Sequence, residues 1–389
     1  PWSFSMSSTG SITEAPETAS SLKAYAREIG LAGLAIGPAA HLAEAEEHLR
    51  ERIAAGFLGE YGLTAGCEER FTHPERLLDG ARTLICCALP YLRPVEASPH
   101  SAGGLTGLVA RFARGRDYHK ALHEKLTLIA GRLQELVPGS GALILHDTGP
   151  LLDRAAALAS GLGWFGRNAC IIVPDYGSWV VLGEIITDAA LPVDPPLETD
   201  RCGSCGLCMA ACPNEAIAAP GQVNIHRCIS HLTQMSGIIL RPLRRSMGRM
   251  IYGCDICQEV CPQNAGALPG NPADFEPGPM HAAPGLIALL QMSKAEYAAT
   301  LRHGAAGWIG RNRLRRNACI ALGNLKDASS VPALARALLR DRSPMVRAHA
   351  AWALGEIGGE EARDALRLAK RHETDPDVTG EIDAALGGG

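Results

Sequence analysis

The sequence predicts an α+β chain in three parts: an α/β domain at residues 17–190, a small cysteine-rich domain at 201–266 and an α-helical repeat domain at 284–386. Three observations carry this. Apolar runs of strand length alternate with amphipathic stretches of helix length through the first half. Four cysteines crowd into RCGSCGLCMAACP (201–213) and three more into CDICQEVCP (254–262). The Ala-Leu-Gly of 321–323 returns at 353–355, a period of about 32 residues.

In the first part the strand-like runs are LAGLAIG (31–37), RTLICCALPY (82–91), GALILH (141–146), ACIIVP (169–174) and SWVVLGEII (178–186). Helical patterns lie between them at 17–29, 39–55, 117–136 and 150–161. The Pro-rich LPVDPPLETD (191–200) reads as a linker into the cysteine-rich part, and the Gly/Pro-rich passage 266–285 leads out of it. In the tail, NACIALGNLKDASSVPALARALL (317–339) is echoed by AHAAWALGEIGGEEARDALRLA (348–369), two helices per unit as in HEAT-type repeats. Two ordinary helical hairpins capping the domain are the plainer alternative.

The 389 residues carry a net charge of −4, which predicts no polyanion partner from global charge. A nucleic-acid surface must then be a local basic patch. No apolar run approaches the ~20 residues of a membrane span. The polar N-terminus lacks the basic and apolar regions of an export signal, which argues for a cytoplasmic protein. In that compartment thirteen cysteines suit metal ligation better than disulfides.

Cys202, Cys205, Cys208 and Cys212, followed by Pro213, have the spacing of a bacterial iron–sulfur run, in which the fourth cysteine serves the other cluster. Aligned by its Cys-Pro end, the second run offers Cys254, Cys257 and the crossing Cys261, with Ile251 where a third local ligand belongs. Cys228, in NIHRCISHL between the runs, is the candidate for the missing thiolate. The expected sets are Cys202, Cys205, Cys208 and Cys261 for one [4Fe–4S] cluster, and Cys212, Cys228, Cys254 and Cys257 for the other. Structural zinc is the rival, but such a run is not its habit. Cys86, Cys87, Cys170 and Cys319 read as small buried thiols, and the role of Cys67 is open.

Electrons need a destination, and the first part has no G-x-G-x-x-G or P-loop. Its polar chemistry lies in VARFARGRDYHKAL (109–122), in ILHDTGPLLDRAAALASGLGWFGRNAC (144–170) and in the strand that ends near Glu184. Asp147 follows a strand, where ligands often bind in α/β folds. Helix capping is an equal reading of it.

HDTGPLLDRAAALASGLGWFGRN, the Asp-Tyr-His of 117–119, both cysteine runs with Cys228 between them and the repeat tail occur here in one order. That combination resembles the epoxyqueuosine reductase family, from about Leu22 to the repeats. The resemblance implies a nitroreductase-like first domain that binds cobalamin, a ferredoxin-like domain with two [4Fe–4S] clusters, and repeats that grip a tRNA anticodon stem-loop. The implied reaction is reduction of epoxyqueuosine to queuosine, the last step of queuosine biosynthesis, with two electrons, two protons and release of water. A low-potential electron donor is implied, and one chain holding every part suits a monomer.

By the same resemblance Asp147 is the acid for the leaving oxygen, desolvated and with a raised pKa, and Asp117 and His119 are polar residues near the substrate. Asp117-Tyr118-His119 imitates the start of a corrinoid Asp-x-His-x-x-Gly motif, but Leu122 replaces the glycine. The cobalamin is therefore expected base-off, without a protein histidine on cobalt. Arg70, Arg167, Asn168, Ile171, Ile172, Val173 and Leu182 are expected around it together with Asp147, and Ser230 and Gln234 to place the cluster domain against it. Some family members carry a cysteine just before the Asp-Tyr-His segment; Ala110 stands there in this chain. Arg241, Arg244 and Arg245, and Arg311, Arg313, Arg315 and Arg316, form two basic clusters expected to track RNA phosphates. The rival functions are a reductive dehalogenase-like corrinoid enzyme and a non-catalytic iron–sulfur electron carrier.

Overall fold

The structure is a computed structural model that describes residues 14–58, 63–93, 103–197, 201–276, 278 and 280–387. Most of the polar N-terminus and residues 198–200 of the linker lie outside the described residues. The first domain is built on β1 (Gly33–Pro38), β2 (Thr83–Pro90), β3 (Ala142–His146) and β4 (Val180–Thr187), in the order β1-β2-β4-β3 with every pair antiparallel. All eight residues of β2 are buried. Side chains alternate along a strand, so Ile85, Cys87 and Leu89 enter one apolar layer and Leu84, Cys86 and Ala88 the other. Covering both faces explains why the sequence run is continuously apolar.

Two expectations shift here. The run 169–174 contributes only Ile171–Ile172, paired with Trp164–Phe165 in a separate hairpin rather than in the sheet. The helix expected from 150 starts at Asp153, with Leu152 at its cap position, so the capping reading of Asp147 is excluded. The sheet also has no parallel pair, so the α/β argument for a ligand site after a strand does not apply to Asp147.

The helix Tyr118–Leu136 lies on one face of the sheet through Leu122, Leu126, Ile129 and Leu133. Gly183 lets it come close: a Cβ there would stand 2.7 Å from Leu126 and 3.2 Å from the Leu145 carbonyl oxygen. This approach sets the first turn of the helix beside the end of β3.

The cluster domain is tied to the first domain by Met250–Tyr252, which runs parallel to Leu108–Val109. Ile251 is fully buried in the shared core, so the position that lacks a ligand is a packing position. The tail forms the helices Arg311–Leu325, Val331–Arg340, Pro344–Ile357, Glu360–Lys370 and Pro376–Gly387. The repeated glycine has a steric reason. A Cβ on Gly323 would lie 2.8 Å from Trp352 and 2.9 Å from the Ala353 Cα.

Three of the seven arginines expected to face RNA are interior. Arg316 is fully buried and donates to the carbonyls of Leu232, Thr233, Met235 and Gly237 at 2.8–3.3 Å. Arg244 is buried and forms a bidentate pair with Glu381 at 2.7 and 2.9 Å. Arg315 is buried against Asp341 and the Leu290 carbonyl. A sequence cluster of arginines on a helix cannot all face one way, and here Arg244, Arg315 and Arg316 turn inward onto carboxylates and carbonyls. Arg241 and Arg245 stay exposed, paired with Glu381 and Glu356; Arg311 and Arg313 are half-buried and bond the carbonyls of Met292 and Gln234.

Replacing Arg316 with Ala removes a charged donor from four buried carbonyls and should cost ~3 kcal/mol or more. The urea midpoint of Arg316→Ala should fall well below that of the exposed control Arg371→Ala; equal midpoints would contradict this role.

Candidate functional site

Asp147 directly follows β3, whose last residue, His146, pairs with Gly183 of β4. Asp117 caps the helix Tyr118–Leu136 by accepting from the His119 backbone N–H at 3.1 Å. The capping carboxylate also meets His119 Nδ1 at 2.7 Å, which turns the ring so that Nε2 lies 2.9 Å from Asp147 Oδ1. The Tyr118 hydroxyl donates to Asp147 Oδ2. His146 Nδ1 stands 3.7 Å from Asp147 Oδ1. One helix start therefore sets three groups on the end of one strand.

The electrostatics reverse one expectation. Burial raises the Asp147 carboxyl, but hydrogen bonds from His119, His146 and Tyr118 outweigh it and hold the group well below the usual carboxylate range. Asp147 is thus an anion here, not an acid of raised pKa. Burial pulls His119 down, yet its bonds to Asp117 and Asp147 win and lift it to about 9. Both ring nitrogens then carry hydrogens and both donate. Asp117 is lowered by the same partner despite its burial. Burial and then Asp147 push the Tyr118 hydroxyl far up.

The cysteines of the two runs and the 224–231 loop lie close enough to act on one another. Burial and then Cys261 and Cys202 raise the Cys208 thiol, and burial, Cys202 and Cys205 raise Cys261. Burial pushes Cys254 up to about 12, with Cys228 and Cys212 adding to it. Cys257 is raised by burial and then by Cys170, Cys254, Cys228 and Cys208. Cys170, expected as an ordinary strand thiol, is pushed up to about 11 by burial and also feels Cys228 and Cys261, so it neighbours the candidate ligands.

Other expected residues scatter. Asn168 Nδ2 reaches the Cys257 carbonyl at 3.4 Å and its Oδ1 accepts from Cys170 N–H, while Gly221 N–H donates to the Arg167 carbonyl, so the 166–170 loop seals against the cluster domain. Ile171, Ile172 and Val173 have buried side chains, which leaves only their backbone for a ligand. Leu182 is half-buried on β4. Arg70 is exposed over the Phe71 ring. Gln234 bonds back to Ser230 within their own helix. His146, Asp153 and Trp308 were missed. A polar pair ending an apolar strand marks His146; nothing local marks Trp308, an indole 54% exposed whose Nε1–H donates to the Tyr252 hydroxyl at 2.8 Å.

Residues 201–264 match the family model described as a 4Fe-4S double cluster binding domain, 310–387 the model of HEAT repeats, and 72–148 the model described as epoxyqueuosine reductase QueG, DUF1730. The epoxyqueuosine reductase of Bacillus anthracis is 36% identical over 364 residues, 93% of this chain and 95% of the relative. This chain belongs to the epoxyqueuosine reductase family. Two solved epoxyqueuosine reductases show the same fold at 34% identity, covering 95% of this chain and 98% of theirs. One, with a TM-score of 0.88, holds an epoxyqueuosine-modified tRNA stem loop; the other, from Bacillus subtilis with a TM-score of 0.87, has its catalytic aspartate loop swung out of the active site.

Because His119 is raised from 6.5 to about 9 on folding, its contribution to stability is complete below about pH 6.5 and is lost as pH rises through about 9. Stability should fall across that window by ~2–3 kcal/mol more in the native protein than in His119→Gln. Parallel pH curves would contradict the charged bridge.

Proposed function

We propose that this protein reduces epoxyqueuosine in the anticodon loop of tRNA to queuosine. The observation that carries it is the Asp117–His119–Asp147–Tyr118 network in a chain of this family that also has a double cluster binding domain. The match to a relative solved with an epoxyqueuosine-modified stem loop supports the substrate. No helix among the described residues is long and apolar enough to cross a membrane.

The eight cysteines fit two [4Fe–4S] clusters, each with four thiolates drawn from more than one segment, as the match to a double cluster binding domain supports. Cobalamin without a histidine ligand from the protein is compatible with this site. Both nitrogens of His119 are held by carboxylates, so no ring nitrogen there is free to ligate cobalt. Asp147, Arg167, Asn168 and the backbone of 171–173 would line it, and when bound it supplies a low-valent reductant for the epoxide carbon.

The residues of this chain supply the proton. The epoxide oxygen must leave protonated, and Asp147, with 43% of its side chain exposed, is the group of the network open to a ligand. A proton moves from His119 Nε2 to Asp147 Oδ1 across 2.9 Å and from there to the oxygen. Asp117 holds the imidazole in register, and Tyr118 fixes the other oxygen of Asp147. A swing of the 147–152 turn would separate Asp147 from His119, as the swung loop of the Bacillus subtilis enzyme suggests.

RNA recognition falls to the remainder of the basic clusters, the exposed Arg241 and Arg245 and the half-buried Arg311 and Arg313, with Trp308 as a stacking surface. The Arg313 guanidinium lies 5.9 Å from the Trp308 ring centroid. From the Tyr252 hydroxyl that Trp308 binds, ring contacts run by way of Phe112 to Tyr118. An indole fixed at one edge and open on a face suits an unstacked base.

Reduced, reconstituted protein should convert epoxyqueuosine in a tRNA stem loop. Asp147→Asn should keep its iron and its stem-loop affinity but lose 10²-fold or more in rate, and Trp308→Ala should weaken stem-loop binding. Normal turnover by Asp147→Asn would remove the proton-donor role.

A further inference from the structure

A second pair of carboxyl groups lies behind Asp147, and the steps above do not use it. Glu184 stands on β4 opposite Cys86 of β2 and Leu145 of β3, and it is fully buried. Asp153 opens the helix Asp153–Ala159, which packs on that same face of the sheet. Asp153 is half-buried, six residues after Asp147 along the connecting turn. Both Glu184 oxygens and Asp153 Oδ1 are sealed from water, and none receives a hydrogen bond from a donor among the described residues.

Arg154 and His146 lower Asp153 only in part and neither bonds to the pair, so burial prevails. The Cys86 thiol opposite is itself pushed up by burial and by Glu184. The Ser160 hydroxyl donates to the Ala157 carbonyl at 3.1 Å, and the Arg154 guanidinium to the Ala169 carbonyl at 2.7 Å. His146 turns to the rings of His119 and His123, and Asp147 adds a further negative charge. Two facing carboxylates in a dry site cannot both stay ionised. A single hydrogen on one, donated to the other, satisfies oxygens that otherwise have no partner. Burial and then Asp153 accordingly put Glu184 far above its usual range, while burial and the Asp147 charge hold Asp153 at about 6 although its bond with Glu184 lowers it.

We propose that Asp153 and Glu184 share one proton in the resting protein and act as the proton store that refills Asp147 during epoxide reduction. This rests on the function proposed above. Loss of the epoxide oxygen as water breaks both of its C–O bonds and consumes two electrons, from the low-potential donor through the clusters, and two protons. His119 supplies one proton through Asp147. The Tyr118 hydroxyl is held too weakly acidic to give the second. The shared proton passes from Asp153 to the emptied Asp147 carboxylate and on to the departing hydroxide, which leaves as water. The pair, left with two charges, takes a proton back from solvent at its half-buried end. Glu184 is the holder and Asp153 the door.

Glu184→Gln keeps the shape and replaces the shared proton with an amide. Infrared spectra of the reconstituted protein at pH 8 should show a protonated-carboxyl band that shifts in heavy water and is missing in Glu184→Gln. Single-turnover reduction of an epoxyqueuosine stem loop at pH 8 should slow about tenfold or more in the variant and recover toward pH 6, with iron content and stem-loop affinity unchanged. Asp153→Asn, at the half-buried end, should show the same loss if Glu184→Gln does not fold. A wild-type protein without the band overturns the shared proton. A band accompanied by unchanged rates and pH profiles in both variants overturns the store. A band in a wild-type protein that converts no epoxyqueuosine overturns the proposed function and the store's role in it, while the shared proton stands.

Discussion

Thiolates repel one another, and eight of them stay within one small domain only where neighbouring structure holds them and a metal cluster takes up their charge. Their segments have little regular structure of their own: helices of four to six residues and three short strands. The rigidity is borrowed. Arg316 and Asn317, at the start of the repeats, bind the carbonyls at the end of the helix that Cys228 begins, and Asn317 also takes the Ile251 carbonyl three residues before Cys254. Asn168 reaches from the first domain to the carbonyl of Cys257. The cysteine-rich part is thus clamped from both sides, and the repeat domain is a structural partner of the cluster ligands before it is anything else.

The same logic of paired and unpaired charge organises the first domain. Asp147 sits among donors and is ionised; Glu184, buried with no donor to its oxygens among the described residues, is held far above the usual carboxylate range. Carboxyl groups held close in opposite protonation states are what acid chemistry at neutral pH requires. The antiparallel sheet makes this possible: β3 and β4 place His146 toward the Tyr118–Leu136 helix and Glu184 toward the opposite layer, so the two sets share a strand pair without sharing donors.

Much of this was legible in the sequence because it follows from local spacing. The continuous apolar run 82–91, the helical pattern from 117, the two cysteine runs and the Ala-Leu-Gly period each encode their structure within a few residues. Asp147 and His119 could be named, but not their charge states, since these depend on three donors that meet only in the folded chain. The arginine clusters misled for the same reason. Nothing near Arg316 announces the carbonyls some 80 residues earlier that it binds. The 150–161 pattern hid a turn because its apolar residues continue the helical period through Pro150 to Leu152.

The central claim is that Cys228 completes the second cluster while Cys212 and Cys261 cross between the runs. Iron content after anaerobic reconstitution tests it most directly. Wild-type protein should hold about eight irons per chain, and Cys228→Ala about four, with the spectrum of a single remaining [4Fe–4S] cluster. A Cys228→Ala protein that still carries about eight irons, or a wild type that never exceeds about four, would contradict the account.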